Sequence, residues 1–123
     1  MMQRSDRGET GRIGEQEAER FLHKEGLKTL DKNWRAGHRE IDLIMEGVDG
    51  IHFVEVRTLR VPNIHEPFES ITRKKQMLLM SAARAYLASR RLYNEAIFDI
   101  VSVVLNGDKA EIQYFPDAFS PDW

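Results

Sequence analysis

Residues 40–57, EIDLIMEGVDGIHFVEVR, decide the fold. Two apolar-rich runs, 40–46 and 51–57, flank the connector GVDG at 47–50. A four-residue connector that contains two glycines is typical of a β-hairpin. The stretch therefore predicts two neighbouring antiparallel strands.

Acidic residues interrupt both predicted strands, although Asp and Glu are depleted in strands. Because side chains alternate along a strand, we expect Glu40 and Asp42 on one face. The other face would then carry Ile41, Leu43 and Met45. On the partner strand, Glu55 and Arg57 share a face. A register that sets Asp42 opposite Glu55 would place their Cβ atoms about 4.5–5.5 Å apart.

Two carboxylates at that distance destabilise a fold unless positive charge lies between them. The pattern leaves three explanations open. A divalent cation suits hard oxygen ligands, and Mg²⁺ uses one or two carboxylates together with water and substrate phosphate. Arg57 would instead form an ordinary ion pair with Glu55 or Asp42. In the third explanation the acids lie at an exposed sheet edge.

The elements around the hairpin predict one domain over residues 11–123, after a disordered segment 1–10. Thr72 is a predicted N-cap for a long helix that ends near Arg91, and Ile71 is placed to pack as a hydrophobic staple. Its apolar stripe is Leu79, Ala82, Ala83, Tyr86 and Leu87. The other predicted elements are a helix at 11–25, a short strand near Leu30, a loop at 59–68, strands at 96–105 and 110–115, and an irregular tail at 116–123. Helices before and after the strands predict an α/β, three-layer domain with a mixed β-sheet flanked by helices.

Composition excludes several classes of site. The 123 residues include no cysteine, which removes disulfides, thiolate zinc sites and cysteine nucleophiles and fits a reducing compartment. No apolar run approaches the roughly 20 residues of a membrane helix. We therefore expect a cytoplasmic protein without a membrane partner; the sequence predicts no oligomeric state.

Charge is distributed unevenly along the chain. The net charge is −2, yet residues 57–91 contain eight basic and two acidic residues. This basic segment indicates either a polyanionic partner, such as nucleic acid, or only a solvated helix face.

The chain resembles the YraN family, small bacterial proteins with a restriction-endonuclease-like fold, over roughly residues 12–119. The motifs that carry the resemblance are Gly14-Glu15, Glu40-Ile41-Asp42-Leu43-Ile44, Phe53-Val54-Glu55-Val56, Lys75-Gln76 and Phe98-Asp99. The resemblance implies the PD-(D/E)xK nuclease core and metal-dependent hydrolysis of phosphodiesters. By the same resemblance, Asp42 and Glu55 hold Mg²⁺ or Mn²⁺ and Glu15 completes the metal site.

The sequence departs from that superfamily at position 57, where Arg57 replaces the usual lysine. A guanidinium stays charged and cannot act as a base, but it can bind a phosphate through two hydrogen bonds. Lys74 or Lys75 on the long helix is a possible substitute from another direction. The predicted catalytic set is Asp42, Glu55, Arg57 and Lys75, and the predicted nucleic-acid contacts are Arg60, Arg73, Lys74 and Lys75.

Two functions follow, a metal-dependent endonuclease acting on DNA and a catalytically weakened nucleic-acid-binding module on the same fold. A protein-interaction domain is a third possibility. Several candidates also have purely structural interpretations. Glu15, at the start of its predicted helix, would interact with the helix dipole, and Asp99 is expected to form a hydrogen bond or salt bridge. The four histidines show no ligand spacing, and single tryptophans such as Trp34 and Trp123 more often fill a core or interface than stack on bases.

Overall fold

The computed structural model describes residues 4–62 and 71–123, with the side chains of α1 described from residue 8 onward. The chain forms two helices and five strands. In order these are α1 (Arg4–Lys24), β1 (Lys28–Ala36), β2 (Arg39–Gly47), β3 (Gly50–Arg60), α2 (Arg73–Arg90), β4 (Ala96–Asn106) and β5 (Lys109–Phe119).

The strands form one mixed sheet in the order β1-β2-β3-β4-β5. Neighbours are antiparallel except β3 and β4, which are parallel. Parallel neighbours need a crossover connection, and α2 lies in the one between them. The predicted α/β, three-layer restriction-endonuclease-like architecture is confirmed.

Each face of the sheet is buried by one helix. On the α2 face, Phe53 and Phe98 pack with Leu79 and Tyr86 of the helix. On the α1 face, Val54 and its neighbours pack with Leu22 and Ala18. Full burial of a side chain of this size contributes about 1.5–3 kcal/mol, so each face provides a substantial core.

The hairpin prediction is confirmed. Leu43 pairs with Val54, and Gly47 pairs with Gly50 beside the turn. Gly50 has φ 148°, and a Cβ there would lie 2.5 Å from the carbonyl oxygen of Glu95. The turn therefore depends on glycine for both its conformation and its packing.

The long helix was also correctly predicted. The Thr72 side chain accepts a hydrogen bond from the Lys75 backbone N–H at 3.1 Å, as an N-cap does. Ile71 packs against the core of the α2 face. The buried residues of the helix are Leu79, Met80, Ala82, Ala83 and Tyr86.

Several predicted boundaries were wrong. Helix α1 begins at Arg4 rather than at residue 11, and β1 is a strand of nine residues rather than a short one. Strand β3 continues to Arg60 and β5 continues to Phe119, into segments predicted to be irregular. Pairing with β4 carries both strands onward, and such pairing is a non-local effect. Residues 63–68 of the predicted loop lie outside the described residues.

Helices α1 and α2 both fall short of the combination of length and apolar character that a membrane-spanning helix requires; this finding applies to the described ranges 4–62 and 71–123.

Candidate functional site

Asp42 and Glu55 lie where the β2–β3 ladder opens. The last backbone pair on this side is Leu43 with Val54, and the same register continued by one residue sets Asp42 opposite Glu55. Beyond that point the Asp42 carboxylate takes the place of a strand carbonyl, because its Oδ2 accepts the Val56 N–H at 2.8 Å. The opened ladder therefore holds one carboxylate firmly beside the other.

This carboxyl pair is partly buried, and its two charges lie in an unfavourable environment. Burial, followed by the neighbouring charge of Glu55, raises the pKa of Asp42 to about 8. Burial also raises the pKa of Glu55, although Lys75 and Arg57 act in the opposite direction. The two side chains are close enough to hydrogen-bond with each other. Together they can share a proton or, once it is lost, attract a cation.

Lys75 reaches this pair from the first turn of α2. Its Nζ lies 3.9 Å from Glu55 Oε2. The Thr72 cap fixes the start of the helix and hence the position from which Lys75 extends. Lys74, the neighbouring lysine, is exposed. Of the two lysines that sequence reasoning offered as substitutes for the motif lysine, Lys75 is the one that contacts an acid of the site.

Arg57 lies two residues beyond Glu55 on the same strand and also acts on it. Its positive charge lowers the pKa of Glu55, in opposition to the effect of burial. The ion-pair interpretation named Arg57, whose charge acts on Glu55, whereas the ion pair at 3.9 Å is formed by Lys75. Both cations act on Glu55, whereas the pKa of Asp42 is raised mainly by burial and by the charges of other acids.

Glu15 projects toward the site from α1, but not as the sequence suggested. It lies in the interior of the helix Arg4–Lys24, so the interpretation of Glu15 as a helix-dipole residue was wrong. Its Oε1 accepts a hydrogen bond from Asn33 Nδ2 at 2.9 Å, and burial raises its pKa. The charge of Glu15 in turn raises the pKa of Asp42, so the two acids lie within electrostatic range of each other.

Glu40 is a second acid near the pair, after Glu15, and the sequence-based site did not include it. Its charge raises the pKa of both Asp42 and Glu55. It also forms an ion pair with Arg35 at 3.4 Å. The available signal was its position two residues before Asp42 on an apolar strand.

The predicted alternation of β2 was wrong at one residue. Ile41 packs in the core of the α2 face with Ile44, whereas Leu43 and Met45 pack on the α1 face. The interruption lies at Asp42, whose partner position on β1 is Asn33, a residue with φ 49°. A left-handed residue breaks the regular pleat, and this local break lies where the acids converge.

The basic segment does not form a single unpaired face. Arg60 donates to Thr10 of α1 at 3.3 Å, on the opposite side of the sheet from α2. Arg73 is exposed and forms an ion pair with Asp122, and Arg90 pairs with Asp31 at 2.8 Å. Part of the local excess of positive charge in the sequence is thus neutralised by acids from distant segments.

Two carboxylates are what this site offers a metal ion. In the described parts of the chain, no three His, Cys, Asp or Glu side chains are grouped closely enough to hold one. The Asp42–Glu55 pair still fits the donor requirement of Mg²⁺, which accepts oxygen ligands and takes the rest of its coordination from water and phosphate. The raised pKa of Asp42 is a second indication of fit, because a nearby cation would favour the charged carboxylate.

A second polar cluster, centred on His52, lies on the opposite face of β3. His52 Nδ1 lies 2.6 Å from Asp99 Oδ2 and its Nε2 lies 2.8 Å from Asp49 Oδ1. Burial alone would lower the pKa of His52, but its bonds to the two aspartates raise it to about 9. Asp99 also accepts the Tyr114 hydroxyl and the Asp117 N–H. The prediction that Asp99 forms structural hydrogen bonds is confirmed. The position of His52 in this cluster was not predicted, because the spacing of the histidines in the sequence gave no signal for it.

Comparison with known proteins gives one consistent family. Residues 14–103 match the model of the uncharacterised protein family UPF0102, which is the YraN family. The chain is 39% identical over 113 residues to a UPF0102 protein of Syntrophotalea carbinolica, covering 91% of this chain and 92% of the relative. It is 38% identical over 112 residues to a UPF0102 protein of Syntrophomonas wolfei, covering 90% and 97% respectively. A UPF0102 protein of Myxococcus xanthus is 35% identical over 116 residues, with 94% and 92% covered.

Proposed function

Because the chain belongs to the uncharacterised protein family UPF0102, we propose its function from the geometry of the site: metal-dependent hydrolysis of phosphodiester bonds in nucleic acid, with DNA as the expected substrate. The observation that carries the proposal is the partly buried Asp42–Glu55 pair with the Lys75 ammonium 3.9 Å from Glu55. An endonuclease of this kind would act in the cytoplasm, in keeping with a chain that contains no cysteine.

The metal ion in this proposal is Mg²⁺ or Mn²⁺. Asp42 and Glu55 would hold it, and Glu15 is the acid on α1 that faces the same region. When bound, the ion would polarise the phosphodiester and stabilise negative charge on its oxygens. The strained carboxyl pair supports this assignment, since an ion would compensate the repulsion that burial intensifies.

In this proposal, Lys75 takes the role that the motif lysine has in PD-(D/E)xK nucleases, where this chain has Arg57. A compact ammonium beside Glu55 supplies positive charge where the phosphate would become more negative, and its donors can orient a water molecule. Arg57 can bind a phosphate oxygen pair but cannot accept a proton. We therefore assign different roles to the two cations. Lys75 would lie beside the reacting group, and Arg57 would bind the phosphate.

A second candidate is a nucleic-acid-binding module with weakened catalysis. Arg57 favours it, because this residue keeps phosphate affinity while losing the chemistry of a lysine. The exposed cations Arg73 and Lys74 would contribute to binding in either function. Binding would then require no metal and would weaken steeply with salt, because neutralised phosphates release counterions.

Cleavage assays with matched variants distinguish these candidates. Single-stranded, duplex and branched DNA are incubated with the protein in Mn²⁺ or Mg²⁺. We expect Asp42→Ala to abolish cleavage and Lys75→Ala to reduce it roughly 100-fold or more, as loss of a group that acts on the reacting centre does. The controls are Glu46→Gln, which changes an exposed acid of β2, and Lys109→Ala, which changes an exposed lysine at the start of β5.

Each result selects one candidate. Metal-dependent cleavage that survives in both control variants supports the hydrolase. Salt-sensitive binding without cleavage by any variant supports the binding module. Equal cleavage by the parent protein and Asp42→Ala would reject the proposed site.

A further inference from the structure

We propose that a groove on the outer face of α2 binds unpaired nucleotides, which makes single-stranded or locally unpaired nucleic acid the substrate class of this protein. The inference rests on the proposed function for its choice of ligand and adds to it a surface that selects among nucleic acids. The groove is formed by α2, the start of β2 and the last two residues of the chain.

The groove has the size and lining of a ligand site. Its volume is about 540 Å³, within the roughly 300–1,000 Å³ of small-ligand clefts. Met77, Met80 and Trp123 provide apolar surface, and Arg39 and Arg84 provide positive charge. Met77 is 53% exposed and Trp123 is 50% exposed, so this apolar surface is open to a partner.

Trp123 is held in place as a stacking surface. Its ring packs edge-on against Phe98 with centroids 6.0 Å apart, and the Arg84 guanidinium lies 5.6 Å from its centroid. A nucleobase can stack on an indole or on a guanidinium plane, and arginine also binds phosphate. The two side chains thus match the two parts of a nucleotide.

Charge favours nucleic acid over a protein partner. The acid that lines the groove, Asp122, is paired with Arg73. Because the Asp122 carboxylate is paired with Arg73, it does not neutralise Arg39 and Arg84, the two cations that line the groove. An apolar floor beside this positive charge suits a ligand that combines flat rings with phosphates.

The groove and the carboxylate site are connected through strand β2. Arg39 contacts Ser81 of α2 through its guanidinium and begins the strand that carries Asp42. Asp42 is three positions after Arg39 on this strand, about 10 Å away at roughly 3.3 Å per residue. A single strand of nucleic acid bound in the groove would have its sugar–phosphate backbone near Asp42. Duplex DNA would keep its bases stacked in the helix and out of contact with Trp123.

Tryptophan fluorescence tests the stacking directly. The chain has two tryptophans, so Trp34→Phe leaves Trp123 as the sole reporter and keeps an aromatic ring against Tyr86. In EDTA, we expect a single-stranded oligothymidylate to quench this signal and to bind at least several-fold more tightly than a duplex of equal length. Anisotropy of a labelled oligonucleotide measures the same affinities on the unaltered protein.

Single substitutions in the protein that retains Trp34 complete the test. Trp123→Ala should weaken single-strand binding roughly 5- to 100-fold, the effect of losing one base–aromatic stack. Arg84→Gln should weaken it in the same direction. Tyr93→Ala removes an aromatic side chain that is 96% exposed and lies outside the groove, and should leave binding unchanged.

The results are independent of catalysis because binding is measured without metal. Single-strand binding that depends on Trp123 supports the inference even if the protein cleaves nothing, in which case only the proposed hydrolase fails. A preference for duplex, equal binding by Trp123→Ala and the parent protein, or no binding of either oligonucleotide would overturn the inference. The last result would leave the groove to a protein partner.

Discussion

Asp42 is the residue on which the account depends most, because its environment is unfavourable to its own charge. A partly buried carboxyl beside a second carboxyl contributes little to stability. Its oxygen replaces a backbone acceptor for Val56, yet a neutral amide would serve equally well in that bond. In the proposed function, the reason to have an acid at this position is the cation that it would hold.

Removing this charge should stabilise the protein when no metal is present. In the folded protein the pKa of Asp42 is raised to about 8, from 3.8 for an unperturbed aspartate. The contribution of the protonated Asp42 carboxyl to the free energy of unfolding is therefore fully present below about pH 4. It is lost as the pH rises through about 8. We expect Asp42→Asn in EDTA to raise the free energy of unfolding at pH 8 by about 1–3 kcal/mol and to change it little at pH 4.

Urea denaturation at the two pH values measures this difference. The matched control is Asp108→Asn, which neutralises an exposed acid in the β4–β5 turn. It should give no comparable gain. A loss of stability in Asp42→Asn at pH 8 would contradict the electrostatic description of the pair.

At the scale of elements, the sequence predicted the helices and strands whose boundaries are determined by local signals. The glycine-flanked turn specified the β2–β3 hairpin, and Thr72 specified the start of α2. The acids at Asp42 and Glu55 were recognisable because they interrupt apolar strands. These features depend on neighbours only a few residues away.

Features that depend on tertiary contacts were not predictable. The reach of Lys75 to Glu55 requires α2 to cross from β3 to β4 over the correct face. The break in alternation at Asp42 depends on the left-handed conformation of Asn33 in another strand. The interior position of Glu15 depends on a helix that begins at Arg4, well before the apolar pattern starts.

Helix α1 carries Glu15 and is set close to β3 by one glycine. A Cβ on Gly14 would lie 1.9 Å from Thr58 Oγ1, whereas a Cβ on Gly11 would have no neighbour within 4 Å. Gly14→Ala should therefore destabilise the protein by about 1–3 kcal/mol through overpacking. Gly11→Ala should stabilise it by roughly 0.5–1 kcal/mol, because alanine favours helix.

Thermal or urea unfolding of the two alanine variants makes the comparison. Opposite signs for the two changes confirm the close contact between α1 and β3. Stabilisation by both would show that the helix does not approach the sheet at Gly14. Because Gly14 adjoins Glu15, the same shift of α1 would also move an acid that faces Asp42.

At the scale of the whole molecule, the three layers meet at one end of the hairpin. The α1 layer contributes Glu15, the sheet contributes Asp42 and Glu55, and the α2 layer contributes Lys75. The outer face of α2 adds the groove that ends at Trp123. The fold thus brings a pair of acids, the cations Lys75 and Arg57 and a groove that contains Trp123 around one strand pair.

The most direct test of this arrangement is calorimetric titration of the protein with Mn²⁺ at pH 6 and pH 8. Asp42 must lose its proton before it binds a cation, so affinity should be higher at pH 8 and binding should release protons. We predict that Asp42→Asn loses at least about tenfold in affinity, as loss of a ligand or its support does, while Glu46→Gln binds as the parent protein does. Equal Mn²⁺ affinity in the parent and Asp42→Asn, or no Mn²⁺ binding at either pH, would contradict the account.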